Sequence, residues 1–162
     1  MPSARKTSTA RVALAAAMLV AIAAAPGAAA ADATATAGGC ARQFDEAQRV
    51  DMESFRDFDE ETWLAGHDPE AITIFASGAR RQGIEAIAAA LHPHFVNKNA
   101  VWSWTELFRN VVGCSTGYIL YDATYDIPSI GFHQRALTSV TYIHKGDKWL
   151  SIADQGTLLP QG

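Results

Sequence analysis

The sequence predicts a single exported α+β domain in which helices cover one face of a curved antiparallel sheet. Three observations carry that expectation. A basic and then apolar N-terminal segment reads as a removable leader. Two helical stretches follow, with a short apolar run between them. Four long stretches rich in β-branched and aromatic residues, separated by short turns, make up the rest.

Arg5, Lys6 and Arg11 stand without acidic neighbours ahead of Val12 to Ala25, an apolar run closed by Pro26 and Gly27. The run is shorter than the about 20 residues that span a bilayer as a helix, and Ala28 to Ala31 supplies the small residues a signal peptidase reads. Residues 1–31 are therefore expected to be a signal peptide cleaved after Ala31. The product is secreted or otherwise exported, with no stable membrane insertion once the leader is gone. Ala37-Gly38-Gly39-Cys40 has the small residues that precede a lipidated cysteine, but such a cysteine follows the apolar run directly, and here residues 32–39 intervene. Removing 1–31 takes three of the 13 basic residues and none of the 17 acidic ones, so 131 residues remain with a net charge of −7. That length suffices for one hydrophobic core. The acidity opposes binding to nucleic acid or anionic lipid surfaces.

Residues 32–39 read as a flexible linker of small residues, and the domain is expected over 40–162. Outside the cytoplasm the two cysteines, Cys40 and Cys114, are expected to pair as a disulfide that pins the start of the domain. Closing that loop stabilises the fold by roughly 4.5 kcal/mol on the chain-entropy model.

From Ala41 to Leu64, Phe44, Ala47, Met52, Phe55, Phe58 and Trp63 recur near a 3.6-residue period, with Arg42, Glu46, Arg49, Glu53, Asp57 and Glu60 opposite. One long amphipathic helix is expected, ended by Gly66. His67 to Glu70 is expected to turn and open a short helical turn, with Asp68 as its cap and Pro69 in its first position. Ala71 to Ala76 reads as a strand, with Ala79 to Gln82 pairing back onto it. Gly83 introduces a second helix, Ile84 to His92, whose Ile84, Ile87 and Leu91 share a face and which Pro93 stops. Ala100 to Val112, Ser115 to Tyr125, Phe132 to His144 and Lys148 to Asp154 then read as strands of an antiparallel meander. A pocket between helices and sheet follows from this order.

The helix ending in Trp63-Leu64-Ala65-Gly66-His67-Asp68, the strand Ile72-Thr73-Ile74-Phe75-Ala76, the Gly83-Ile84-Glu85-Ala86-Ile87 start of the next helix and the strand Lys148 to Asp154 together resemble the nuclear transport factor 2-like superfamily, SnoaL-like branch. The resemblance covers Cys40 to Pro160. It implies a cone-shaped fold whose bent sheet wraps the helices around an apolar cavity, and a homodimer. It does not settle the chemistry, because the superfamily includes isomerases, dehydratases, cyclases, epoxide hydrolases and members without catalysis. Its ketosteroid isomerases carry an Asp base at the end of the first strand, where this chain has Phe75 and Ala76, and no tyrosine stands in the first helix to serve as oxyanion donor. That departure puts steroid-type proton transfer in doubt.

Trp63, Trp102, Trp104, Tyr118 and Tyr121 are the aromatic residues expected to line a ligand cavity. Trp102 and Trp104 alternate on one strand face, which Glu106 and Phe108 continue. Tyr118, Leu120 and Asp122 share one face of the next strand, and Ile119, Tyr121 and Tyr125 the other, so only one set looks inward. An inward Asp122 would be desolvated and its pKa raised, suiting it to acid–base work. Asp154, at the end of the last strand, could join it so that one carboxyl holds a proton for the other. His133, opening its strand after Phe132, is a third candidate because its ordinary pKa is near 6.5. His92 and His94 flank Pro93 without a third ligand at a defined spacing, so they are read as surface residues at a helix end. His67 is read as part of a helix-ending turn. Arg80 and Arg81 are a weak signal for an anionic group. No zinc motif, phosphate loop or nucleophile elbow is present, and neither metal nor cofactor is expected. The expected partner is a small hydrophobic molecule. Three readings follow: a binding domain with an apolar cavity; a cofactor-free lyase, isomerase or cyclase using Asp122, Asp154 or His133; and a non-catalytic dimeric interaction module using the outer sheet face.

Overall fold

The computed structural model describes residues 27–160, with side chains from residue 38 onwards. The leader expected at 1–31 therefore lies almost wholly outside the described residues. Helix α1 spans Gly27–Arg56, α2 Glu60–Ala65 and α3 Ile84–Asn97. Strands β1 (His67–Ile74), β2 (Arg80–Gln82), β3 (Val101–Val112), β4 (Thr116–Ile127), β5 (Phe132–Lys145) and β6 (Lys148–Leu158) form one sheet in the order β2-β1-β6-β5-β4-β3. The antiparallel meander β3 to β6 is as expected, but β1 pairs with β6 in parallel, so the sheet is mixed and not purely antiparallel.

The helices depart from the sequence reading in three ways. The stretch 32–39, expected to be a flexible linker, is helical within α1, where it prolongs the amphipathic helix that follows it and adds one hydrogen bond per residue without a new nucleus. The long helix expected to run to Leu64 breaks at Phe58, whose φ is +61°, and restarts where the Asp59 side chain accepts the Thr62 amide at 3.1 Å. Pro93 does not stop α3, which continues to a left-handed Lys98. The buried His94 and Phe95, packed on Phe55, offset the amide bond that a mid-helix proline removes.

The segment at His67 is likewise strand from its first residue, not a turn opening a helix. Asp68 accepts the Glu70 amide at 2.9 Å and pairs with Lys145 of β5 at 3.0 Å, which fastens β1 across the sheet.

Two apolar clusters make the core. Phe44, Met52, Ile119, Tyr121, Ala123, Val140, Tyr142 and Trp149 fill the space between α1 and the sheet, while Trp63, Ala71, Ile87 and Phe95 join α2, α3 and β1. Phe44 is fully buried and meets Tyr142 and Trp149 edge-on, at centroid separations of 5.4 and 5.0 Å. It fits because Gly117 of β4 has no side chain: a β-carbon there would run into the Phe44 ring. Cys40 and Cys114 form the expected disulfide, with 5.5 Å between their α-carbons, and tie α1 to the β3–β4 turn.

Candidate functional site

Where the two clusters meet, the inner face of the sheet and the three helices border a half-open cavity of about 380 Å³. Met52 and Phe55 of α1, Trp63 of α2, and Leu91 and His94 of α3 form one wall. Trp102, Tyr125, Phe132, Ala136 and Val140 of the sheet form another. Asp51, His67, Thr73, Thr138, Ser151 and Asp154 place polar groups within this mostly apolar lining.

A β-bulge decides which carboxylate faces the cavity. Along β6, Trp149 and Ser151 point inward, opposite His144 and Tyr142. Strict alternation would turn Asp154 outward. Ile152 is the extra residue between the pairs Tyr142–Ser151 and Thr141–Ala153, and after it Asp154 lies opposite Val140, on the inner face. Burial, and then the negative charge of Asp51, push the Asp154 carboxyl up to about 7. Its carboxyl makes no hydrogen bond among the described residues.

Asp51 and His67 complete the polar side of the site. Asp51 lies in the buried stripe of α1 formed by Phe44, Gln48 and Met52, and its Oδ2 accepts a 2.6 Å hydrogen bond from the Tyr142 hydroxyl. Burial, with Asp51 next in weight, keeps that hydroxyl protonated well above the usual tyrosine range, so it remains a donor. His67 Nδ1 sits 2.7 Å from the Trp63 carbonyl oxygen and must donate to it, so in the neutral ring Nε2 carries the lone pair. Nε2 lies 3.8 Å from Asp51 Oδ1, beyond hydrogen-bond range.

His94, expected at the surface, is buried instead. Its Nε2 lies 2.7 Å from the Phe55 carbonyl and its Nδ1 2.9 Å from the Tyr125 hydroxyl, and its ring stacks on Phe55 at 3.9 Å. Desolvation pulls its pKa down, so it stays a neutral brace between α1, α3 and β4. His92, by contrast, is exposed as expected.

Asp122 and His133 do not face this cavity. Tyr121, Ala123 and Tyr125 take the inner face of β4, which turns Asp122 outward into a two-pronged pair with Arg135, at 2.8 and 2.5 Å. That hydrogen bonding holds the Asp122 carboxyl below its ordinary range, opposite to the rise expected of a desolvated acid. His133 is also exposed and pairs with Asp126 at 2.5 Å.

The aromatic expectations divide in the same way. Trp63 and Trp102 border the cavity. Trp104 packs against the first cluster under the Arg56 guanidinium, Tyr121 is wholly inside that cluster, and Tyr118 lies on the outer face beside Phe108. Phe108 is outward because Leu107 is an extra residue in β3, which reverses the alternation begun at Trp102 and Trp104. Sequence reasoning missed Asp51, His67 and Tyr125. For Asp51 a signal was present: a carboxylate at the i+7 position from Phe44, inside the apolar stripe of a long helix.

No family model matches the chain, and no curated protein matches it. Solved structures do. A domain of unknown function with a cystatin-like fold from Nostoc punctiforme is similar at 16% identity and TM-score 0.60, over 72% of this chain and 75% of that one. A putative calcium/calmodulin-dependent protein kinase type II association domain from Thiobacillus denitrificans matches at 14% identity and TM-score 0.62, over 72% and 94%. An NTF-2 like protein of unknown function from Shewanella oneidensis matches at 12% identity and TM-score 0.61, over 72% and 98%. At these identities the likeness speaks for architecture alone. With helices laid on a six-stranded mixed sheet, the chain has the nuclear transport factor 2-like, or cystatin-like, fold.

Proposed function

We propose that this is an exported domain that binds a small, mainly apolar molecule inside the cavity between its helices and its sheet. The observation that carries the reading is the lining: Phe55, Trp63, Trp102, Tyr125 and Phe132 surround about 380 Å³, with few polar groups among them. A space of that size suits a small organic ligand. Export is supported by the basic and apolar leader and by the Cys40–Cys114 bridge, which belongs to an oxidising compartment. Among the described residues no helix is long and apolar enough to cross a membrane. The boundaries 1–31 and 40–162 and the SnoaL-like assignment belong to the same proposal.

The test is uptake of a neutral apolar reporter, N-phenyl-1-naphthylamine, by the folded protein. Ala136 is buried and borders the cavity, so Ala136→Phe fills it from the sheet side. Loss of dye uptake with a cooperative melt supports the reading. Undiminished uptake by a folded Ala136→Phe protein overturns it. Native mass spectrometry of the secreted protein reports leader removal and any retained ligand together.

A second reading, a cofactor-free lyase or isomerase, is favoured by one observation: Asp154, held near a pKa of about 7, shares the cavity with the lone-pair nitrogen of His67. In this reading Asp154 moves the proton; Asp122 and His133 have no part, because they lie outside. Asp154→Asn is expected to abolish turnover while leaving the fold intact. Full turnover by that variant would exclude the role.

A further inference from the structure

We infer that the cavity takes an amine, an apolar body ending in a protonated nitrogen, held between the Asp51 and Asp154 carboxyls and the surrounding aromatic faces. The inference rests on the binding reading above and names the chemical class of its ligand.

The charge of the lining comes first. Its titratable side chains are Asp51, His67, His94, Tyr125 and Asp154, and no lysine or arginine borders the cavity. His94 and Tyr125 are committed to each other at 2.9 Å. No lysine or arginine therefore neutralises the acidic groups, and an anionic ligand would meet their like charge with only the His67 ring, 3.8 Å from Asp51, beside it. A cationic head group supplies what is missing.

The acceptors of the lining point the same way, while its one buried donor without a partner among the described residues, the Trp102 indole N–H, is left to an acceptor elsewhere on the ligand. The side chains of His67 and Asp51 are only 6% and 8% exposed, yet His67 Nε2 and Asp51 Oδ1 approach no closer than 3.8 Å. Both are acceptors in the neutral-ring tautomer set by the Trp63 carbonyl, so neither satisfies the other. Asp154 adds a carboxyl that bonds to nothing among the described residues. Three acceptor groups border one cavity, and an ammonium offers three N–H donors. Phe55, Trp63, Trp102 and Tyr125 in the same lining add ring faces, which attract a cation within about 6 Å.

The groups that set the proton balance are Asp51 of α1, His67 of β1, Tyr142 of β5 and Asp154 of β6. A bound ammonium favours the ionised form of Asp154, so binding near neutral pH releases a proton from that carboxyl to the solvent.

Three probes with one body and different heads test this: 4-phenylbutylamine, 4-phenylbutanol and 4-phenylbutyrate, titrated calorimetrically at pH 7 in two buffers of different ionisation enthalpy. The amine is expected to bind about tenfold tighter than the alcohol, the scale of one charged hydrogen bond, and the carboxylate weakest of the three. Amine binding alone is expected to release protons to the buffer. In Asp154→Asn the amine is expected to fall to within about threefold of the alcohol. An alcohol equal to the amine, a carboxylate that binds tightest, or an unchanged amine preference in Asp154→Asn overturns the inference and leaves the apolar-binding reading standing. No binding by any of the three, in a protein that still takes up the neutral dye, also overturns this inference alone. Failure of the dye as well overturns both.

Discussion

The Tyr142 hydroxyl donates to Asp51 Oδ2 at 2.6 Å, joining the buried face of α1 to the inner face of β5 beside the cavity. Both residues are buried, so the bond is shielded from water. Tyr142→Phe keeps the ring against Phe44 but leaves Asp51 without its donor. A loss of about 1–3 kcal/mol is expected, the cost of an unsatisfied buried acceptor, read as a lowered urea midpoint at unchanged slope.

Asp154 makes stability depend on pH. Its folded pKa, about 7, lies above the ordinary carboxylate value of 3.8, so the folded state holds more protons than the unfolded chain between those limits. Stability therefore falls as pH rises through that window. Asp154→Asn is expected to flatten the fall. The variant should exceed the parent by about 1–3 kcal/mol at pH 8 and match it near pH 4, as measured by urea unfolding at each pH.

Asp122→Asn and His133→Ala are expected to leave probe binding unchanged and to alter stability by less than about 0.5 kcal/mol, because both side chains face solvent on the outer side of the sheet or its edge. A changed probe affinity in either variant would contradict the inner and outer assignment of β4 and β5.

Gly117→Ala places a methyl group where the Phe44 ring lies. A destabilisation of about 1–3 kcal/mol is expected from overpacking, seen in thermal unfolding. Trimming the ring with Phe44→Leu in the Gly117→Ala background should recover part of it, since two contacting changes do not add.

Reducing the Cys40–Cys114 bridge opens a link between residues 74 apart in sequence. The chain-entropy model puts the loss at roughly 4.5 kcal/mol. Cys40→Ser with Cys114→Ser should reproduce it, and adding a reductant to that double variant should have no further effect.

The fold was largely legible because hydrophobic period and turn residues mark each element. Phe44, Met52 and Phe55 announced the helical face, and the meander strands were separated by Gly113, Gly131 and Gly146, each at positive φ. The site was legible only in part: Asp154 was expected at the cavity and borders it, but alternation alone does not say which face of β4 looks inward, and Asp122 is on the outer one; two bulges shift faces further along β3 and β6. Leu107 reverses the face of Phe108, and Ile152 that of Asp154. No composition signal marks either extra residue; a bulge is set by how neighbouring strands register, which is a tertiary fact. Pro93 misled for a related reason: its local cost is real, and packing of His94 and Phe95 overrides it.

The last strand sits inside the sheet, with β1 on one side and β5 on the other. In the backbone ladder the β1–β2 hairpin meets the meander at β6, so the two halves of the sheet are not hydrogen-bonded to one another until β6 is in place. Ser151 and Asp154 of that strand also complete the cavity wall. A chain still emerging from a ribosome or a translocation channel thus has no finished binding chamber until β6 has emerged and paired with both its neighbours.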